Sequence, residues 1–297
     1  MSIEAEKFRE AAAQADQERN AATTHPTGIQ CVEDLSYGPH GVWNRLNLYV
    51  PEGTDGLLPV IVSIHGGGYV YGTKEVYHHY CADLASRGFV VVNFNYRLAP
   101  DHRFPSQLED INSLFWWLWG QRGRYHMDLD RLFVVGDSAG AQLASQYGAI
   151  LTNGTYALLF SWELPPVKIR ALGLNCGTYD LCAKMISPVF KLGRDYLDEG
   201  FDLSDPRLDV LGAITGDYPP SHITTSCYDF NLPGAKPFEA LLRRKGVRAV
   251  CECYGTPEQK ELGHVFHVDI RLPEAKACND AQCAFFREQL GMNAGDP

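Results

Sequence analysis

Residues 136–140 read Gly-Asp-Ser-Ala-Gly. They follow the apolar run Arg131-Leu132-Phe133-Val134-Val135 and precede Ala141-Gln142-Leu143-Ala144-Ser145-Gln146-Tyr147. Strand, G-x-S-x-G, then helix is the context of a nucleophile elbow. The turn is so tight that the neighbours of Ser138 must lack bulk, and its hydroxyl stands out above the sheet. An activated serine needs an imidazole base, a carboxylate to orient that base, and N–H donors for the oxyanion that forms. By itself the pentapeptide also fits an idle glycine-rich turn, so the partners decide.

Upstream, His65-Gly66-Gly67-Gly68-Tyr69 follows the apolar stretch Val60 to Ile64. Consecutive glycines let the backbone approach a developing negative charge and aim amides at it. A phosphate-cradling loop would need Gly-Lys-Ser/Thr, whereas Gly72 is followed by Thr73-Lys74, the wrong order. The amide of Ala139, next to the serine, is one further donor. After such an elbow, the acid and then the histidine come in chain order, each just past a strand. Asp229 follows the stretch ending at Cys227, with Asp180, after the preceding strand, as the second candidate acid. His264 lies in Leu262-Gly263-His264-Val265-Phe266-His267, after the strand ending at Tyr254, with His267 as the second candidate base.

The elements that must position these residues follow from periodicity. Residues 3–22 read as a polar helix with a thin apolar stripe of Ile3, Phe8, Ala12 and Ala15, ended by Thr24-His25-Pro26-Thr27-Gly28. Val32 to Tyr37 and Asn44 to Val50 read as an antiparallel hairpin at a sheet edge, with Leu46, Leu48 and Val50 on one face. Strands then alternate with helices, which implies a mostly parallel sheet covered on both faces. The strand cores are Val60–Ile64, Phe89–Phe94, Leu132–Val135, Ala171–Leu174, Ile223–Cys227 and Val247–Tyr254. The helices are Tyr77–Arg87, Ser106–Trp119, Ala139–Leu151, Gly234–Lys245 and Asn279–Leu290. Phe115-Trp116-Trp117 reads as core packing, and His78-His79 as helix surface. Between Asp180 and Ser221 no strand is due. Short amphipathic helices at Ile186–Leu197 and Pro206–Ile214 there suit a cap over the catalytic edge, with the N-terminal helix as its partner.

The totals narrow the function classes. The chain has 297 residues, 45% apolar and 21% charged, which suits one large folded domain with a cap. Thirty-six acidic against 26 basic residues give a net charge of -10, which argues against nucleic acid or an anionic membrane and toward a neutral or cationic small ligand. No apolar run reaches the ~18 residues that a membrane span needs. The N-terminus lacks the apolar core of a signal peptide, so a cytoplasmic location is expected. Nine scattered cysteines without metal-ligand spacing read as reduced, apolar-like residues.

The motifs taken together carry a resemblance. His65-Gly66-Gly67-Gly68, Tyr96-Arg97-Leu98-Ala99-Pro100 with Phe104-Pro105 and Leu108-Glu109-Asp110, and Gly136-Asp137-Ser138-Ala139-Gly140 resemble the hormone-sensitive-lipase-like group of α/β-hydrolases. The likeness is detailed from Val60 to Gly148 and looser to the end. It implies an α/β-hydrolase fold, with a mostly parallel eight-stranded sheet, helices on both faces and a helical cap. The expected division is 1–30 for the N-terminal cap helix region, 31–179 and 221–297 for the two parts of the core, and 180–220 for the cap insertion. The resemblance also implies a serine carboxylesterase for short-chain acyl esters, acetyl esters among them, using Ser138, Asp229 and His264 through an acyl-enzyme. The oxyanion donors would be the amides of Gly67, Gly68 and Ala139, with His65 shaping the loop and Arg97 and Asp110 tying loops together. Amide or lactone hydrolysis on the same triad and non-catalytic ligand binding are the alternatives. No cofactor or metal is expected, the partner is a small-molecule ester, and a homo-oligomer stays open. Three departures touch packing and pocket shape: Ala141 where the family usually has a second glycine, His264-Val265-Phe266 where His-Gly-Phe is usual, and no acidic residue soon after Asp229.

Overall fold

A computed structural model describes residues 1–187 and 190–291 of the chain. It opens with helix α1 (Ile3–Ala21) and the strands β1 (Ile29–Ser36) and β2 (Arg45–Pro51). Strands and helices then alternate: β3 (Leu58–Ile64), α2 (His78–Ala85), β4 (Val90–Phe94), α3 (Ser106–Gly120), β5 (Met127–Asp137), α4 (Ala139–Thr152), α5 (Gly154–Ala157) and β6 (Ile169–Asn175). Three short helices follow, α6 (Leu181–Ile186), α7 (Gly193–Tyr196) and α8 (Val210–Ala213). The chain closes with β7 (Ser221–Ser226), α9 (Leu232–Arg244), β8 (Ala249–Tyr254) and α10 (Pro273–Glu288).

The eight strands form one sheet in the order β1-β2-β4-β3-β5-β6-β7-β8. β2 runs antiparallel to both β1 and β4, and every other pair is parallel. This is the expected α/β-hydrolase sheet. Side chains alternate across it, as strand geometry requires: Val60, Val62, Val90, Val92 and Val134 face one core, while Ile61, Val91, Phe133 and Val135 face the other. Both faces are covered, so the central strands are apolar throughout. In a parallel sheet, the loops that leave the C-terminal strand ends emerge at one edge, and that edge gathers the site.

Several elements differ from the sequence reading, each for a physical reason. Leu46 to Val50 is buried on both faces, since Tyr49 packs into the second core beside α2. β5 begins at Met127, because Leu58 and Pro59 pair with Met127 and Asp128 ahead of a register shift. α10 starts at Pro273, six residues before Asn279: proline suits the first helical turn, where its missing N–H is not needed. The helix expected over Ile186–Leu197 is split. α6 ends at Ile186, Ser187 before Pro188 is extended at ψ 125°, and α7 begins at Gly193. Residues 188 and 189 of that expected helix lie outside the described residues.

The stripe on α1 is also not what holds the helix. Ile3 is 66% exposed and Ala5 is the helix's one buried residue. Side-chain hydrogen bonds fasten it instead. The N–H of Ser2 donates to Asp195 Oδ1 at 2.8 Å, Arg9 donates to the carbonyls of Val70 and Ala99, and the Tyr71 hydroxyl donates to Asp16 at 2.8 Å. Nor is His78 a surface residue. It is half-buried, with Nδ1 2.9 Å from the Tyr49 hydroxyl and its ring stacked on His25. No helix among the described residues is long and apolar enough to cross a membrane.

Candidate active site

Ser138 sits between the end of β5 and the first turn of α4 at φ 53° and ψ -115°, a backbone region that L-residues rarely enter. The glycines around it are there for space. A Cβ on Gly136 would run into the carbonyl of Gly140, and one on Gly140 into the carbonyl of Ile64. The elbow is tied sideways to β6 by the Ser138 N–H, which donates to Asn175 O at 2.9 Å. Ala141, where the resemblance implied a second glycine, is fully buried, so its methyl is accommodated by packing.

Three side chains from three strand ends meet here. His264 Nε2 lies 2.9 Å from Ser138 Oγ, and His264 Nδ1 lies 2.7 Å from Asp229 Oδ1. Asp229 is buried just past β7 and also accepts the Asn231 N–H at 2.9 Å and the Thr225 hydroxyl at 2.8 Å. Burial works against its charge, yet the hydrogen bonds from His264, Asn231 and Thr225 outweigh it and hold the carboxyl below the usual range. The ring of Phe230 lies over His264 with centroids 3.9 Å apart. Cys176, also buried, accepts the Val265 N–H on its sulfur at 3.4 Å and so fixes the loop that carries His264.

The competing candidates are elsewhere. Asp180 is exposed and caps α6, accepting the Ala183 N–H at 2.8 Å. His267 is fully buried in a short turn against Tyr80, where desolvation lowers its pKa to about 3 and keeps the ring neutral.

The glycine-rich loop after β3 faces Ser138. Gly67 and Gly68 have φ of 113° and 59°, and a Cβ on Gly67 would collide with the Tyr71 carbonyl. Among the described residues, the amides of Gly67, Gly68 and Ala139 donate to no protein acceptor. His65 is buried and stacked on Tyr96 at 4.1 Å, with Nδ1 2.8 Å from Gly66 O; desolvation brings its pKa down to about 4. It shapes the loop as a neutral ring. Beneath the loop, the Tyr77 hydroxyl donates to Asp137 Oδ2 at 2.8 Å and accepts the Gly66 N–H at 3.1 Å. Burial raises the Asp137 carboxyl to about 7, against the lowering effect of that Tyr77 bond. Nearby loops are pinned by Arg97, whose backbone N–H and Nε both donate to buried Asp110 while Nη2 reaches Glu109 at 2.8 Å.

A cavity of about 1130 Å³ opens over Ser138. Gly66 to Gly68, Ala139 and His264 form its floor, α1 crosses above it with Phe8, Ala12 and Asp16, and Lys184, Phe190 and Leu192 form a side wall. The one trio of metal-type donors among the described residues is Cys176, Asp229 and His264, with atoms within 4.8 Å of one another, two of the three already bonded together. The nine cysteines are free thiols. Sequence reasoning missed Tyr77, Thr225, Asn231, Cys176 and Lys184, since each contacts the site from a segment whose local pattern signals only helix, strand or turn.

Residues 61–268 match the sequence profile of a family described by its alpha/beta hydrolase fold. The chain belongs to that family. Residues 3–100 of this α/β-hydrolase also match the profile of the carboxylesterase family. It is 27% identical to the versiconal hemiacetal acetate esterase of Dothistroma septosporum, over 78% of this chain and 74% of that one. With the ethyl acetate hydrolase of Pseudomonas putida the identity is 38%, over 39% of this chain and 37% of the relative. Among solved structures, an inhibited esterase B from Lactobacillus rhamnosis superposes with a TM-score of 0.88, at 25% identity over 96% of both chains. This α/β-hydrolase is a carboxylic ester hydrolase.

Proposed function

We propose that the protein hydrolyses short-chain acyl esters by way of a covalent acyl-enzyme on Ser138. His264 Nε2 takes the Ser138 proton as Oγ attacks the ester carbonyl. Asp229 holds the imidazole in the tautomer with the proton on Nδ1 and stabilises the imidazolium that forms. The amides of Gly67, Gly68 and Ala139 receive the oxyanion, each such donor contributing about 3 kcal/mol to the barrier reduction. His264 then protonates the departing alcohol, and a water molecule repeats the sequence to release the acid. The observation that carries this reading is the relay of 2.9 Å and 2.7 Å through the two nitrogens of His264.

Residues 1–30 and 180–220 act as the cap over the core segments 31–179 and 221–297. A short acyl chain is supported by the aromatic packing beside the glycine-rich loop. Tyr69 is buried and stacked on Tyr196 at 3.7 Å, with the edge of Phe190 against it and Leu192 just beyond Gly68. The names of the acetate-cleaving relatives point the same way.

The test is a chain-length series of 4-nitrophenyl esters from acetate to dodecanoate with the wild-type protein and Ser138→Ala. Acetate and butyrate should turn over at least about tenfold faster than dodecanoate. Wild-type rates persisting in Ser138→Ala would sink the reading.

A further inference from the structure

Among the described residues, one cation on the cavity wall has no carboxylate within ion-pair distance. Lys184 on α6 is half-buried and faces the same cavity as Ser138. Its Nζ donates to Asn231 Oδ1 at 3.2 Å and stands 4.8 Å from the Phe190 ring centre and 5.4 Å from that of Phe230. Among the described residues it makes no ion pair, whereas the other cations of the cavity each have one. Arg19 pairs with Asp16 at 2.5 Å, Arg271 with Asp269 at 2.6 Å and Lys191 with Glu4 at 4.0 Å.

An ammonium taken part-way out of water without an anion is unfavourable, and burial accordingly lowers its pKa, against the raising effect of nearby Asp229. The two phenyl faces offset part of that cost through cation–π attraction. An ammonium has three donors, and Asn231 occupies one. Phe230, which it touches, is the ring that covers His264. The free donors therefore stand one aromatic ring away from the proposed base.

We propose that Lys184 selects esters that carry a carboxylate, pairing with it while the ester carbonyl sits at Ser138. The inference rests on the hydrolysis at Ser138 proposed above. It runs against the ligand charge expected from the net charge of the chain, and locality explains why. Exposed charges are screened over about 8–10 Å, so a half-buried ammonium inside the cavity outweighs distant surface acids. Three cavity carboxyls lack a cation partner: Glu18 and Glu261 are exposed to solvent, which weakens their repulsion, and Asp137 is buried and held by the Tyr77 hydroxyl.

The experiment compares substrates that differ in one charge. On the acyl side, 4-nitrophenyl hydrogen adipate is set against 4-nitrophenyl hexanoate; on the alcohol side, carboxymethyl butyrate against propyl butyrate. Each pair is run with wild type, Lys184→Met and Lys184→Arg. The ratio of kcat/KM for charged over neutral ester should fall about tenfold or more in Lys184→Met in at least one pair, and return in Lys184→Arg. The same ratio in wild type and Lys184→Met for both pairs overturns the inference. Binding is read independently of turnover by calorimetric titration of monoethyl adipate into Ser138→Ala and into Ser138→Ala/Lys184→Met. Tighter binding to the first is expected, and equal binding overturns the inference. A protein that hydrolyses neither pair above the Ser138→Ala background defeats the proposed function alone, and the titration still decides the role of Lys184.

Discussion

Tyr77 holds Asp137 from below, with its hydroxyl hydrogen on Asp137 Oδ2 and its oxygen accepting the Gly66 N–H. One buried hydroxyl thus joins the elbow to the glycine-rich loop. In Tyr77→Phe, both the carboxyl and the amide lose a partner where water does not easily replace it. A loss of about 1–3 kcal/mol in stability is expected. If the loop is displaced as well, kcat should fall more than KM rises. Urea midpoints and steady-state kinetics on the same preparation check both; an unchanged kcat would leave Tyr77 with a purely structural role.

Burial raises Asp137 to about 7 in the folded protein, so the fold binds that proton more readily than the unfolded chain does. Its contribution is therefore most favourable below about pH 4 and declines as pH rises toward 7, at roughly 1.4 kcal/mol per unit. Asp137→Asn removes the titration. Relative to wild type, the variant should gain stability between about pH 4 and 7 and level off above. Thermal unfolding across that range provides the test, and a pH-independent difference would refute the assignment.

Asp229 and Asp180 are separated by one pair of isosteric changes. Asp229→Asn should lower kcat by about three to four orders of magnitude, because the wrong imidazole tautomer then faces Ser138. Asp180→Asn keeps a competent cap on α6 and should alter neither kcat nor the melting temperature appreciably. Comparable losses in both would reopen the choice of acid.

Gly67→Ala tests the loop. The φ of 113° and the Tyr71 carbonyl leave no room for a methyl group, so the amide must move. A fall of about 100-fold in kcat is expected, as for removal of one oxyanion donor. Turnover of 4-nitrophenyl butyrate measures it.

Arg97→Met removes the partner of Asp110, a carboxylate with 1% of its surface exposed. Leaving a buried charge unpaired should cost about 3–5 kcal/mol, read as a shift in the urea midpoint. A shift near zero would refute a stabilising role for the pair.

How far the sequence carries differs between sheet and cap. The strand cores were legible because residues such as Val60 to Ile64 and Leu132 to Val135 are apolar on both faces, and both faces are covered. Ser138, Asp229 and His264 could be proposed because a parallel sheet brings its C-terminal strand ends to one edge, so position in the chain already implies proximity. Tyr77 and Lys184 carry no such signal: each is an ordinary helix-end or helix residue until tertiary closure brings it to a partner 60 or 47 positions away. The continuous helix expected over Ile186–Leu197 does not form for a local reason: amphipathic spacing continues across Pro188, but the residue before a proline is pushed out of the helical region, and Ser187 is extended. The apolar stripe of α1 misled in another way, because short polar bonds, and not that stripe, hold the helix down.

A helix that spans a reaction chamber while fully burying one alanine, with Phe8 as its main partly covered apolar side chain, exposes little of its own hydrocarbon when it is detached. Heat capacity and denaturant slope both scale with exposed surface, so its release would leave scarcely a trace in a calorimeter or a urea titration. Two chains with the same melting curve could therefore differ widely in how freely substrate enters. Amide hydrogen exchange along Ile3–Ala21 would reveal the difference that the melting curve hides.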